Sequence, residues 1–292
     1  MIRIGILQLT QHLDDAVTGF KTGLAQAGYD ENVEFSYYNV EGRLTALPEY
    51  AERLINSSVQ LIFACSTPAA QAAIAASAST IPVLFTPVFD PVGAGLVQSL
   101  NSPEGNVTGA SGMIPAEAKV AFIRQLLPAA QTIGILYHIG DPNARLEHRL
   151  FSEAAAQAGF TIIDIAINSA GELSRLPEAL SANLDALFLP IGKVVEENFA
   201  TVQYYAEDEG LPIIASHVPN VASGALAGLV ANHKNLGLLC GQMAARILAG
   251  TAAKDIPVTA PQQHDILINT FVAENLGITI PDEVRQKAAE IY

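Results

Sequence analysis

"LIFACSTPAAQAAI", residues 61–74, carries an apolar strand into a helix within three residues. Residues 61–65 form an uninterrupted apolar run, which is typical of a strand covered on both faces of a parallel sheet. Ser66 and Thr67 are suited to cap the alanine-rich helix that follows, and Pro68 suits its first turn. The stretch therefore predicts one strand–turn–helix unit of an α/β protein.

The same turn has two functional interpretations. The first amides of a helix lack partners within the helix and carry partial positive charge. Together with the hydroxyls of Ser66 and Thr67 they either serve only as a helix cap or also bind a carboxylate or phosphate.

The alternation of apolar run and helical period continues in both directions. Further strands are predicted at 3–9, 33–39, 82–86, 107–111, 132–137, 161–166, 186–190, 212–215 and 224–230. Helices are predicted at about 14–28, 44–57, 116–127, 143–159, 173–180 and 194–209, with a short helix in the loop 87–100. The pattern restarts near residue 113, so we expect two successive doubly wound lobes.

Composition excludes several classes of protein. The 292 residues are 50% hydrophobic, so the chain can bury a large core. Its formal net charge of −14 disfavours nucleic acid and anionic membrane surfaces as partners. No apolar run is long enough to predict a membrane span.

The chain also lacks the familiar motifs of enzymes and metal sites. There is no G-x-G-x-x-G, no phosphate-loop lysine motif and no G-x-S-x-G, and the six histidines show no metal-ligand spacing. Cys65 and Cys240 lie in apolar segments and are interpreted as structural. We therefore expect no catalytic residue, no metal and no cofactor.

Ligands of doubly wound folds bind where the parallel strands end. The loop "LQLTQH", residues 7–12, follows the first predicted strand, and "TPVFDPVGAG", residues 86–95, follows the fourth. In the second loop Asp90 is predicted to cap a helix begun by Pro91, with Phe89 available to stack on a ligand.

Seven motifs along the chain resemble those of one known family. They are "CSTPAAQAA" (65–73), "DPVGAGLV" (90–97), "GNVTG" (105–109), "LLP" (126–128), "IGILY" (133–137), "SGALA" (223–227) and "LGITIPDE" (276–283). In this order they resemble the substrate-binding proteins of ABC importers related to the tryptophan and tyrosine binders, and the resemblance covers nearly the whole chain.

The resemblance implies a type I periplasmic-binding-protein fold, in which two Rossmann-like lobes are joined by a three-crossing hinge and close on a small solute. It places lobe one at 1–112 and 232–262, and lobe two at 113–231 and 263–292. The implied ligand is a small organic molecule that bears a carboxylate, amino-acid-like and including aromatic ones.

The resemblance also implies where that ligand is held. Ser66, Thr67 and Pro68, with the amides beyond them, would hold the carboxylate. The other expected ligand contacts are Gln8, His12, Phe89, Asp90, Met113, Tyr137, Asn143, Lys193, Ser216, His217 and Asn232.

Three segments depart from the family pattern and remove acids that would pair with a ligand ammonium group. They are "PIGKVV" (190–195), Ser216-His217 and "VANHKNLG" (230–237). A buried cation needs a countercharge or hydrogen-bond acceptors, so these changes weaken an amino-acid assignment. Lys193 is either a ligand contact or a solvated residue on the rim.

We therefore expect a monomeric, non-enzymatic solute-binding protein of an ABC importer, with a small-molecule ligand and an ABC permease as partners. Its expected location is periplasmic or extracellular, with a membrane anchor in the native precursor, and no signal peptide is recognised in this chain. The alternative is a ligand-sensing module of a receptor or signalling protein with the same fold. An enzyme would need a nucleophile, base or metal set that the motifs do not supply.

Overall fold

The computed structural model describes residues 1–180, 183–260 and 264–292. The chain divides into two compact units, each made of two segments of sequence. Unit 1 comprises Met1–Met113 and Ala231–Gln263, and unit 2 comprises Ile114–Val230 and His264–Tyr292. The expected lobe boundary between residues 262 and 263 lies outside the described residues.

Strands and helices alternate through most of the chain. The strands are β1 (Ile2–Gln8), β2 (Val33–Asn39), β3 (Leu61–Cys65), β4 (Val83–Val88), β5 (Val107–Ser111), β6 (Thr132–His138), β7 (Thr161–Ile167), β8 (Ala186–Leu189), β9 (Ile213–Ala215), β10 (Ala227–Ala231), β11 (His264–Ile268) and β12 (Ala288–Ile291). The helices are α1 (Asp14–Gln26), α2 (Leu47–Asn56), α3 (Thr67–Ser77), α4 (Ala116–Leu126), α5 (Pro142–Gln157), α6 (Leu176–Leu180), α7 (Lys193–Glu197), α8 (Phe199–Asp208), α9 (Val218–Ala222), α10 (His233–Leu248), α11 (Thr270–Asn275) and α12 (Asp282–Lys287). The predicted α/β alternation is confirmed.

Unit 1 is built on a parallel sheet with strand order β2-β1-β3-β4-β5. Alternate residues of β3 face opposite sides: Ile62 packs in the cluster that includes Leu54 of α2, whereas Phe63 packs in the cluster that includes Phe20 of α1. Helices therefore cover both faces, as the continuous apolar run of β3 predicts.

Unit 2 contains a seven-stranded sheet of order β12-β11-β10-β9-β8-β6-β7. Pairs from β10 to β7 are parallel, as is the pair β11–β12. Asn269, just after β11, donates its backbone N–H to the carbonyl of Leu226, just before β10 (2.9 Å). The end of β11 therefore lies beside the start of β10, so these two strands run in opposite directions.

We call the edge where β1 to β5 end the carboxyl edge of unit 1, and the edge where β6 to β10 end the carboxyl edge of unit 2. The opposite edge of the unit 2 sheet carries the starts of β6 to β10 together with the ends of β11 and β12.

Two predicted helices are wrong in detail. The short helix expected after β4 is a turn, in which the Asp90 carboxylate accepts the Gly93 N–H (2.8 Å) and the chain leaves through Gly95 at φ +71°. The helix expected at 194–209 is two helices, α7 and α8. They meet at Asn198, whose side-chain amide donates to the Val194 carbonyl (2.8 Å) and competes with the helical bond there.

Across the described ranges, no helix is both long and apolar enough to cross a membrane.

Candidate functional site

The turn between β3 and α3 is held in a conformation that a serine rarely adopts. Ser66 has φ 108° and ψ 159°, a region occupied almost only by glycine. Its N–H donates to the Thr86 carbonyl (3.2 Å), and its hydroxyl accepts the Ala69 N–H (3.3 Å). The Ser66 carbonyl accepts the Ala70 N–H (3.0 Å). Bonds to β4 and α3 thus hold a strained backbone, which is a frequent property of binding sites.

These bonds leave part of the first turn of α3 available. Pro68 has no N–H, and the amides of Ala69 and Ala70 are both taken by Ser66. The Thr67 amide and hydroxyl take no part in these bonds, and Ser66, Thr67 and Pro68 are each half-buried rather than covered. The cap that the sequence predicts is therefore present, and donors at the helix start remain for an anion.

The loop after β4 lies on the neighbouring strand and is fixed from two sides. The Ser111 hydroxyl donates to the Phe89 carbonyl (3.0 Å), and the Gly112 N–H donates to Val88 (2.8 Å). On the other side, the Gln71 amide of α3 donates to the Ala94 carbonyl (3.2 Å). Because β3 and β4 are adjacent, Phe89 and the α3 start share one part of the carboxyl edge of unit 1.

The structure places Gln8 inside the unit. Its side chain is fully buried, and its amide nitrogen donates to the Thr10 carbonyl (2.6 Å) and to the Asp14 carboxylate (2.7 Å). Its amide oxygen accepts the Tyr37 hydroxyl (2.9 Å). Gln8 therefore holds Tyr37, which is 44% exposed at the end of β2 and which sequence reasoning missed.

Other expected contacts in the segments of unit 1 have simpler surroundings. His12 is exposed on a 3-10 turn that precedes α1. Asn232 caps α10, where its side chain accepts the Asn235 N–H (2.8 Å). Met113 is half-buried, and its N–H donates to the Ser111 hydroxyl (3.1 Å).

An aromatic stack stands at the carboxyl edge of unit 2. The Tyr137 ring lies on the His148 ring with centroids 4.1 Å apart, and His148 Nε2 lies 2.6 Å from an Asp164 carboxylate oxygen. Burial raises the pKa of Tyr137, and the negative charge of Asp164 adds to the rise. Nearby, Asn143 lies in the first turn of α5, where its N–H donates to the Asp141 carboxylate (2.9 Å).

A buried charged cluster lies beneath the same edge. Lys119 of α4 and Glu147 of α5 form a salt bridge with side chains 6% and 5% exposed. The Ser216 hydroxyl, after β9, accepts from Lys119 (2.9 Å) and donates to Glu147 (2.6 Å). The second Glu147 oxygen accepts the Ile191 N–H (2.7 Å), after β8. Four elements are thus joined through one carboxylate.

Sequence reasoning missed Lys119 and Glu147, although a signal for each exists. Lys119 precedes the buried residues Ile123 and Leu126 at helical spacing, and Glu147 stands between buried Ala144 and Phe151 in the same way. A charged residue at an apolar position of a helix indicates a buried partner.

Lys193 and His217 border a solvent-open cavity of about 520 Å³ in unit 2. The Lys193 side chain is 78% exposed and pairs with Glu197 (3.6 Å), so it has the position of a rim residue. His217 Nε2 lies 3.9 Å from a Glu196 carboxylate oxygen. Glu196 is thus an acidic residue at this cavity that the family motifs do not predict.

Each unit brings together part of the expected set. In unit 1 the adjacent strands β3 and β4 are followed by Ser66, Thr67, Pro68, Phe89 and Asp90. In unit 2, Tyr137 lies near the end of β6, and the loops and helix starts after the neighbouring strands β6, β8 and β9 carry Asn143, Lys193, Ser216 and His217. Within the part of the chain that the structure describes, no group of three or more His, Cys, Asp or Glu side chains is arranged to hold a metal ion.

Comparison with known proteins identifies relatives along the whole chain. Residues 3–292 match the model of the family described as ABC transporter substrate binding protein. A tyrosine-binding protein of Clostridioides difficile (strain R20291) is 33% identical over 270 residues, which is 91% of this chain and 78% of the relative.

Two solved structures are also similar to this chain over nearly its whole length. An ABC domain from Streptococcus pneumonia in complex with L-Trp is 33% identical, with a TM-score of 0.80 over 100% of this chain and 99% of that one. A ligand-free substrate-binding protein with adhesive properties from Clostridium difficile is 32% identical, with a TM-score of 0.89 over 99% of each chain.

More distant structures share the fold alone. A leucine-binding protein from Thermotoga maritima has a TM-score of 0.62 at 14% identity, over 85% of this chain and 83% of that one. With the two sheets described above, these likenesses confirm the predicted type I periplasmic-binding-protein fold.

Proposed function

This chain belongs to the family of ABC transporter substrate-binding proteins, and from that membership we propose that it binds an aromatic amino acid or a close analogue. The family consists of substrate-binding proteins and not of enzymes. Two relatives that are each 33% identical to this chain name an aromatic amino acid as their ligand: a tyrosine-binding protein and a domain solved with L-Trp.

The observation that carries the proposal is the β3–α3 turn. Ser66 holds a strained backbone at the end of a buried strand, and the Thr67 amide and hydroxyl stand at the start of an eleven-residue helix. Partial positive charge at that start favours a carboxylate. We therefore assign the ligand carboxylate to Thr67 and the neighbouring Ser66.

Aromatic recognition is assigned to rings at the carboxyl edges. Phe89 follows β4 next to the carboxylate site, and its loop is fixed by Ser111. Tyr137 is held by its stack on His148. A ring held as that of Tyr137 is can pack on an indole or phenol with little loss of side-chain entropy.

Calorimetric titration with L-Trp and L-Tyr tests the proposal. We expect saturable binding, and we expect the double variant Ser66→Ala/Thr67→Ala to weaken it at least about a hundredfold, because two hydrogen bonds to a charged group are lost. Ser102→Ala/Thr251→Ala, at two other hydroxyl positions in the segments of unit 1, is the matched control and should bind normally. Unchanged affinity in the Ser66/Thr67 variant would remove the carboxylate assignment.

The transport role extends this proposal. We propose that the protein works as a monomer in the periplasm or outside the cell, is anchored to the membrane in its precursor, and delivers its ligand to an ABC permease. Family membership supports this role. Uptake of labelled L-Trp by cells with and without the gene measures it directly, and equal uptake would contradict it.

A further inference from the structure

Unit 2 contains a second cavity, of about 310 Å³, away from its carboxyl edge. Leu211 and Ile213, at the start of β9, form part of its wall, and Asn269, at the end of β11, forms another part. These positions lie at the edge of the sheet opposite to Ser216 and Tyr137. The cavity therefore does not belong to the proposed amino-acid site.

Hydrogen bonds fix the walls of this cavity. Asn269 is buried; its side-chain amide donates to the Val221 carbonyl (3.0 Å), and its oxygen accepts the Val272 N–H (3.1 Å). Thr270 donates through both its N–H (2.8 Å) and its hydroxyl (2.9 Å) to the Tyr292 carbonyl. Helices α9 and α11 and the end of β12 are thus held together, so the cavity is formed before any ligand enters.

The lining combines an apolar body with one charge. Leu211, Ile213 and Val272 contribute aliphatic surface, and Phe271 belongs to the lining although 68% of it is exposed. Among the described residues that line the cavity, Glu207 is the only one with a charged side chain. A site with apolar walls and a single carboxylate complements a cation with an apolar body.

We propose that this cavity is a second ligand site, which takes a small amphipathic amine. The volume is at the lower end of the range for small-molecule sites, roughly 300–1,000 Å³, and suits a body of one or two rings. Glu207 lies on the exposed side of α8, where its carboxylate can meet the ammonium group while the rings lie against Leu211 and Val272.

Tryptamine is a suitable probe, because it has the rings and the ammonium group but no carboxylate. The protein has no tryptophan, so indole fluorescence reports the probe alone. We expect a saturable blue shift of tryptamine emission. Ala222→Phe, which fills the cavity from α9, should weaken binding about tenfold or more, and Ala121→Phe on the exposed side of α4 should leave it unchanged.

Two further variants separate this site from the amino-acid site. Glu207→Gln should weaken tryptamine binding about threefold and leave neutral 3-methylindole unaffected, as expected for an exposed ion pair. Ser66→Ala/Thr67→Ala should not change tryptamine binding. Tryptamine binding that survives Ala222→Phe, or that is lost in the Ser66/Thr67 variant, would overturn the second site, whereas the L-Trp titration decides the proposed function independently.

Discussion

At the scale of single residues, Ser66 combines three roles that are usually separate. It ends β3, caps α3 and holds a backbone conformation that costs on the order of 1–3 kcal/mol in a residue with a side chain. A glycine would adopt φ 108° without that cost, whereas the serine adds a hydroxyl that accepts the Ala69 N–H. On the sequence alone, a helix cap and an anion site are alternative interpretations of this turn. The geometry of Ser66 is compatible with both.

The strain leads to a prediction about stability. Ser66→Gly removes the strain and loses only a few tenths of a kcal/mol as a cap, whereas Ser66→Ala keeps the strain and loses the bond to Ala69. We expect the glycine variant to be more stable than the alanine variant by about 1–2 kcal/mol in urea denaturation. An alanine variant as stable as the glycine variant would show that this backbone is not strained.

The salt bridge between Lys119 and Glu147 gives a second prediction. Lys119→Met leaves the buried Glu147 carboxylate without its cation, which should lower the free energy of unfolding by about 3–5 kcal/mol. Lys287→Met breaks the exposed pair with Glu283 and should cost less than about 1 kcal/mol.

The double variant Lys119→Met/Glu147→Leu completes the cycle for the same pair. It removes both charges together and should recover much of the lost stability, as measured by urea denaturation. The Glu147 carboxylate also accepts hydrogen bonds from the Ser216 hydroxyl and the Ile191 amide. A double variant less stable than Lys119→Met would mean that losing these two bonds costs more than leaving the buried carboxylate without its cation.

At the scale of elements, α1 and α10 pack unusually closely within the segments of unit 1. Gly19 and Gly23 lie one turn apart on α1, and Gly237 and Gly241 lie one turn apart on α10. A methyl group on any of the four would overlap backbone atoms of the other helix. These glycines let two segments far apart in sequence form one packed pair.

Replacing one of these glycines should separate the pair. Gly237→Ala places a methyl group against the Ala16 carbonyl of α1, and we expect a loss of about 3 kcal/mol or more, measured by thermal and urea denaturation. Gly171→Ala is the control, because its added methyl would meet only the Ser169 hydroxyl, at 3.7 Å. Equal stability of the two variants would contradict the close packing.

The elements also show what a sequence can predict. The apolar run of β3 and the turn residues after it act locally, so the unit they form is predicted correctly. β11 and β12 were not predicted, and β12 reads only "AAEI" and gains its place through pairing with β11. Tyr37 was missed because its partner Gln8 lies 29 positions away. Lys119 and Glu147 each show a local signal, a charge at an apolar helix position, but their pairing spans 28 positions and is not visible in the sequence.

At the scale of the whole molecule, the resemblance read from seven motifs predicted the fold and the family correctly, since those motifs lie in order along nearly the entire chain. The lobe boundaries, the ligand contacts and the closing of the lobes on a ligand stay predictions. A pattern of residues defines strands and helices through local periodicity, whereas a binding contact depends on side-chain positions that only tertiary structure determines.

The net charge gives the last prediction. A chain of −14 repels anions at long range, while the α3 start attracts a carboxylate at short range. L-Trp is neutral overall and should bind with nearly the same affinity at all ionic strengths. Indole-3-propionate has the carboxylate but no ammonium group, so salt should strengthen its binding as the screening length falls from about 30 Å at 0.01 M to about 8 Å at 0.15 M.

Fluorescence titration of both compounds at the two salt concentrations measures this difference in affinity. The protein has no tryptophan, so the indole signal comes from the ligand alone. If salt instead weakens the binding of indole-3-propionate, a nearby fixed positive charge outweighs the field of the molecule. This result would contradict the expectation that the net charge dominates; the positive charge would come from a basic side chain or from the α3 start, because salt screens both.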